Sequence, residues 1–154
     1  MSPEFHLIHT TWQESEAALG AVRRTVFIEE QLVPEALEYD GLDESCRHVL
    51  VTDAEKCPVG CGRMQADGHI GRMAVLQGCR GQGIGSAMLV ALLGVASAQR
   101  CAEVYLHAQV SAIPFYEKHG FRVSSGVFMD AGIPHKTMRK SPGRAGQDSS
   151  DTGI

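Results

Sequence analysis

The amino-acid sequence predicts a mixed α/β fold, with helices flanking a sheet whose strands are mostly neighbours along the chain. Three observations carry this expectation. Short apolar runs such as Phe5–Ile8 alternate with longer stretches whose apolar residues recur at helical spacing. Three strand-like runs follow one another between residues 47 and 76, separated only by turn signals. A glycine-rich loop then leads directly into a long apolar helix.

Each element has a local reason. Phe5–Ile8 suits a first strand, and Thr10 or Thr11 can cap the helix after it, with Glu14 close behind. Leu19, Val22 and Val26 keep helical spacing until Pro34, which lacks an amide proton and stops the helix. An acidic connector, Glu35–Glu44, leads to the strand Arg47–Val51, the turn Asp53–Lys56 and the strand Val59–Met64. Asp67-Gly68 is a turn dipeptide, and Ile70–Leu76 completes the meander. The loop Gly78–Gly83 opens a helix to about Arg100, whose apolar residues wrap most of its circumference and predict cover on more than one side. Glu103–His107 reads as a buried strand, followed by a helix from Ser111 to His119 that ends at Gly120. Phe121–Met129 and His135–Arg139 read as the last strands. The single domain is expected over residues 1–140. The tail 141–154, SPGRAGQDSSDTGI, has too little apolar content to fold and is expected to be disordered.

Composition narrows the function. The chain carries 36 Leu, Ile, Val and Phe among 154 residues, and a domain of this size buries about two-thirds of its unfolded surface without metal or disulfide staples. Fourteen Lys and Arg against 18 Asp and Glu give a net charge of −4, which argues against a dedicated nucleic-acid binder. The N-terminus shows no basic segment followed by an apolar stretch, and the cysteines number five, an odd set. Both point to a reducing cytoplasm. Cys57 and Cys61 have no second ligand pair at zinc spacing, so no metal is expected. The most apolar stretch, Ile84–Ala98, is too short for a membrane span.

The most informative segment is Met73-Ala-Val-Leu-Gln-Gly-Cys-Arg80-Gly-Gln-Gly-Ile-Gly85-Ser86. A strand, small residues and a helix N-terminus in succession make an anion cradle, because unpaired amides and the helix dipole both face outward. The Gly-Lys-Ser/Thr of a nucleotide phosphate loop is absent, and the glycine spacing departs from a dinucleotide site. Coenzyme A diphosphate, or a tight turn without a ligand, remains.

Here the residues carry a resemblance. Arg80-Gly-Gln-Gly-Ile-Gly85 resembles the R/Q-x-x-G-x-G/A loop of the GNAT superfamily of acyl-CoA N-acyltransferases. Gln109-x-x-Ala112-x-x-Phe115-Tyr116-x-x-x-Gly120-Phe121 is similar to its second motif, with Gln in place of the leading Asn. Arg23-Arg24-x-Val26-Phe27-x-x-Glu30-Gln31-x-Val33-Pro34, with Glu38, Asp40, Asp43 and His48 behind it, and Gly132-Ile133-Pro134-His135-x-x-Met138 resemble the ElaA/YjcF-like branch. The resemblance implies a central, mostly antiparallel mixed sheet of roughly six or seven strands, splayed at its middle strands, with flanking helices.

It also implies a site. Backbone groups of Met73, Ala74 and Val75 are expected to pair with pantetheine. The amides of Gly81, Gln82, Gly83, Ile84, Gly85 and Ser86 are expected to hold the diphosphate. Arg80 is expected to add a charge, or else to be a solvated cation, and Gln109 to contribute its amide. The implied reaction is attack of a neutral amine on acetyl-CoA without an acyl-enzyme, Tyr116 donating to the departing sulfur. A base is required because alkylamines are protonated at neutral pH. Glu30 and His135 stand first for it, with His48 and His107 behind. The acidic residues from Glu29 to Glu44 either attract a cationic amine acceptor, small molecule or protein amino group, or form a solvated face. A catalytically silent acyl-CoA-binding or sensing module is the alternative. A homodimer is compatible with the resemblance.

Overall fold

The structure, a computed structural model, describes residues 4–142. The disorder expected of the tail falls, from residue 143 onward, outside the described residues. Eight strands and four α-helices are present, one strand more than expected, in two compact units. The first comprises residues 4–66 together with Ile70–Leu92, and the second Asp67–His69 with residues 93–142.

In the first unit, β1 (Phe5–Thr10), β2 (Arg47–Asp53), β3 (Pro58–Met64) and β4 (His69–Val75) pair antiparallel in that order. Leu50, Cys61 and Ala74 stand opposite one another across β2, β3 and β4. Against this row packs α1 (Trp12–Arg23), through Leu19, Val22 and, in the following turn, Val26. Thr11 caps α1 by accepting the Glu14 amide at 3.2 Å. The expected single helix up to Pro34 is a composite: α1 kinks at Ser15 and passes into a π-helical turn, Arg24–Glu30. The connector contains the short α2 (Glu35–Glu38) and a 3₁₀ turn, Asp43–Ser45.

The other face of β3 meets α3 (Ile84–Ala98). A Cβ on Gly60 would stand 3.0 Å from Ile84 Cγ2, and one on Gly62 would stand 2.6 Å from Met73 Sδ and 3.3 Å from Leu92 Cδ1. The Val-Gly-Cys-Gly alternation of β3 thus offers side chains to α1 and bare backbone to α3. Ile84, Met88, Leu89, Leu92 and Ala96 form one buried stripe, whereas Val90 is 59% exposed. Leu93 and Val95 beside that stripe are half-buried, so cover extends beyond one side and only the narrow row with Val90 meets solvent. This helix is also not long enough to span a bilayer, and no described helix is both long and apolar enough to do so.

In the second unit, β8 (Ile133–Lys140) pairs antiparallel with β5 (Val104–Gln109), from Val104↔Lys140 to Gln109↔His135. It also pairs with β6 (Arg122–Val123) and β7 (Phe128–Asp130). The strand expected over Phe121–Met129 is split because Ser125 Oγ, not a backbone carbonyl, accepts the Thr137 amide at 2.8 Å. A 3₁₀ turn, Val110–Ala112, leads into α4 (Ile113–Lys118), and Gly120 with φ +88° ends it as expected. Val104, Leu106, Ala108, Phe121 and Met138 form the core here.

Candidate active site

The end of β4 is irregular where the chemistry is expected. Cys61 pairs with Ala74 and Arg63 with Gly71, so Arg72 and Met73 together oppose Gly62. This is a β-bulge, and it puts Arg72 in the left-handed region at φ +52°. Bulges re-aim side chains. Arg72 is sent onto the connector, its Nη2 donating to the Glu38 carbonyl at 2.9 Å. Met73, Ala74 and Val75 follow immediately.

After Val75 the chain makes a 3₁₀ turn, Gln77–Cys79, and an open loop to Gly83. Gly81 and Gly83 have φ of +79° and +85°, with no atom within 4 Å of where a Cβ would stand. The first intrahelical bond of α3 is from the Ala87 amide to the Gly83 carbonyl, at 3.0 Å. The amides of Ile84, Gly85 and Ser86 precede it, so the helix itself gives them no acceptor. Gly83, at the capping position, has no side chain to offer one. Bare backbone on two residues and the N-terminal end of a helix dipole fit an extended anion such as a diphosphate.

Arg80 does not reach outward from this loop. Its Nε donates to the Val75 carbonyl at 2.9 Å, and Nη1 and Nη2 donate to the two oxygens of Glu30 at 2.8 and 2.7 Å. The hydrogen bonds from Arg80 hold the Glu30 carboxyl below its ordinary range. Glu30, expected as a free base, is therefore a paired anion with little appetite for a proton.

The acidic connector divides: Glu38 and Asp43 are buried against arginines, whereas Glu29, Glu35, Asp40 and Glu44 stay exposed. Arg23 and Arg63 are 1% and 3% exposed, and Glu38 and Asp43 are 3% and 5% exposed. Arg23 Nε donates to Glu38 at 2.9 Å, and its Nη1 to Asp43 at 2.6 Å. Arg63 donates to Asp40 and Asp43. Burial would raise the Asp43 carboxyl, but the hydrogen bonds from both arginines carry it below the ordinary value. At Glu38 burial wins and the carboxyl is pushed up. His48 belongs to the same network: its Nε2 bonds the Asp43 carbonyl at 2.8 Å, and burial lowers its pKa. Among the expected bases it is thus structural. Cys61 is also buried, and its thiol is pushed up to about 12 by desolvation.

The second unit holds the remaining candidates. Tyr116 lies in α4 with its ring edge-on to Phe115 and Phe121, at 5.0 and 5.9 Å. Burial pushes its phenol up to about 12, so at neutral pH it carries its proton. His135 is buried, and its Nδ1 stands 2.7 Å from the Ile133 carbonyl. A carbonyl only accepts, so Nδ1 bears the hydrogen, and in the neutral ring the lone pair falls on Nε2. Gln109 pairs with His135 across β5 and β8. A row of rings accompanies them on that face: Tyr105 stacks on His69 at 4.5 Å, His69 meets His107 at 4.8 Å, His107 meets Phe128 at 5.2 Å, and Phe128 stacks on His135 at 5.9 Å. Burial lowers the His107 pKa. Sequence reasoning missed this row, although the alternation Tyr105-x-His107-x-Gln109 already marks one face of a strand.

Comparison with known proteins agrees with this geometry. The family model described as "Acetyltransferase (GNAT) domain" matches residues 10–142. The chain is 43% identical over 123 residues to the uncharacterized N-acetyltransferase YjcF of Bacillus subtilis (strain 168), which spans 77% of this chain and 87% of that one. Its fold is similar to that of an acyl-CoA N-acyltransferase from Pseudomonas aeruginosa, with a TM-score of 0.76 and 29% identity, over 91% of this chain and 100% of the other. Escherichia coli ElaA gives a TM-score of 0.76 and 27% identity, over 90% and 99%. The chain belongs to the GNAT family of acyl-CoA N-acyltransferases, and within it to the branch of YjcF and ElaA.

Proposed function

We propose that this enzyme transfers an acetyl group from acetyl-CoA to a primary amine by direct attack, in the cytoplasm. The observation that carries the reading is the bare glycine loop at the start of α3, where Gly81 and Gly83 leave the backbone open just ahead of the helix's first intrahelical bond. In this reading the backbone of Met73, Ala74 and Val75 takes the pantetheine amides, and the amides of Gly81, Gln82, Gly83, Ile84, Gly85 and Ser86 hold the diphosphate. The side-chain amide of Gln109 assists. When bound, the thioester supplies an activated acyl carbon.

The residues of the chain then handle protons. His135, whose neutral ring would carry its lone pair on Nε2, takes the proton that the amine sheds as its bond to carbon forms. Tyr116 donates its phenolic hydrogen to sulfur as the carbon–sulfur bond breaks, which spares a bare thiolate at that moment. Its high pKa keeps the donor loaded. Glu30, paired with Arg80, is left out of proton transfer. The acceptor is a small-molecule amine or a protein amino group.

The test is release of free coenzyme A thiol from acetyl-CoA across a panel of amines. Amine-dependent release supports the reading. Tight binding of acetyl-CoA with no release by any amine would instead make the chain a silent acyl-CoA-binding module.

A further inference from the structure

Arg80 is anchored at three points within the first unit: the Val75 carbonyl through Nε, and both oxygens of Glu30 through its two terminal nitrogens. The fork is closed end-on over a carboxylate, the geometry in which guanidinium binds most strongly. Two groups that the proposed reading needs are thereby occupied. Arg80 cannot direct the end of its fork at a diphosphate while Glu30 fills it, and a pantetheine N–H would have to share the Val75 carbonyl with Nε.

We propose that Glu30 is a positioning residue that competes with the diphosphate of the acyl carrier for Arg80. In the free chain the carboxylate stands in for the anion. Binding exchanges one anion for the other and releases the Val75 carbonyl in the same movement. The inference rests on the acyl-CoA reading above and adds to it the element that holds the loop ready beforehand.

Exposure makes the exchange feasible. The Arg80 and Glu30 side chains are 41% and 35% exposed, so parting them leaves both charges in water. The Arg23–Asp43 pair, at 2% and 7%, has no such freedom. Parting an exposed pair returns both charges to water and costs far less than parting a buried one, so a dianionic competitor can take the place of Glu30. Glu30 also ends the π-helical turn Arg24–Glu30, a geometry found where helices serve function.

Three roles for Glu30 give three different signs in one experiment. Coenzyme A affinity is measured by calorimetry at fixed ionic strength for the full chain, Glu30→Gln, Arg80→Ala and the double variant. Competition predicts that Glu30→Gln tightens coenzyme A binding by about 2–5-fold, the range an exposed pair can supply. It predicts that Arg80→Ala weakens binding by about 10-fold, and that Glu30→Gln then adds nothing in the Arg80→Ala background. Weaker binding in Glu30→Gln means that the carboxylate orients Arg80 for the ligand, and unchanged binding means a surface pair; either overturns the exchange. Equal tightening with and without Arg80 overturns it too, since the carboxylate would then act only as a repelling charge. Failure of the unmodified chain to bind coenzyme A at all overturns the acyl-CoA reading itself, and is thereby distinguished from the others.

Discussion

Arg23 and Arg63 share a single carboxylate oxygen: Nη1 of each donates to Oδ1 of Asp43, at 2.6 and 2.8 Å. Arg23 comes from α1 and Arg63 from β3, while Asp43 comes from the connector, so one oxygen ties three segments together. Trp12 and Tyr39 flank the Arg23 guanidinium at 5.3 and 5.4 Å. Removing Asp43 would leave two buried cations short of their common partner. Asp43→Ala is expected to cost about 3–5 kcal/mol, read as a lower urea midpoint. Glu35→Ala, which breaks only the exposed pair with Arg24, is expected to stay within about 1 kcal/mol.

The same network sets a pH dependence. Asp40 and Asp43 have folded pKa values below their unfolded ones. Their stabilisation is therefore present above about pH 3.9 and is lost as pH falls through the folded values. Glu38 has the opposite sign: its raised folded pKa contributes stability below the unfolded value of about 4.3 and loses it as pH rises through the folded one. Glu38 titrates entirely above that window, so Tm is expected to fall on acidification below about pH 4, where the two aspartates lose their stabilisation. Asp43→Asn should flatten that fall, and Glu38→Gln, which removes a group titrating above it, should leave its steepness unchanged.

Particular residues explain what the sequence made legible. The Thr11 cap, the Gly120 terminator and the glycine loop act within a few residues of themselves, so they can be read from local spacing, whereas the helical segment expected to stop at Pro34 already ends at Glu30 and Pro34 instead caps α2. The split at Ser125 depends on a side chain replacing a carbonyl at Thr137, twelve residues away. Glu38 and Asp43 look like surface acids until α1 and β3 bring Arg23 and Arg63 to them, and Glu30 meets Arg80 across 50 residues. Charges reveal their partners only in three dimensions. The strand periodicity of β4 likewise conceals the bulge at Arg72, because arginine carries no intrinsic preference for φ +52°.

Gly83 allows a test of the loop that spares the core. At φ +85°, with nothing within 4 Å of a would-be Cβ, alanine meets strain but no clash. Gly83→Ala is expected to lower stability by about 1–2 kcal/mol while leaving far-UV circular dichroism unchanged. Coenzyme A affinity should drop more sharply than the stability does, because the strained turn shifts the amides after it. Pantetheine, which lacks the diphosphate, should bind the variant and the unmodified chain alike.

Tyr116→Phe isolates the proposed proton donor. The ring keeps its edge contacts with Phe115 and Phe121, so thermal stability should hold and only the hydroxyl is lost. Because burial has pushed that phenol up to about 12, it stays protonated below about pH 11, and the unmodified enzyme should show no alkaline fall in turnover from this group in the neutral range. Turnover of the variant is expected to drop by about 10²-fold or more, with the acetyl-CoA dissociation constant unchanged. A thioester with a more acidic leaving thiol needs less help at sulfur, so the deficit should shrink when such an acyl donor replaces acetyl-CoA. Equal deficits for both donors would mean that Tyr116 shapes the site and gives no hydrogen to the leaving group.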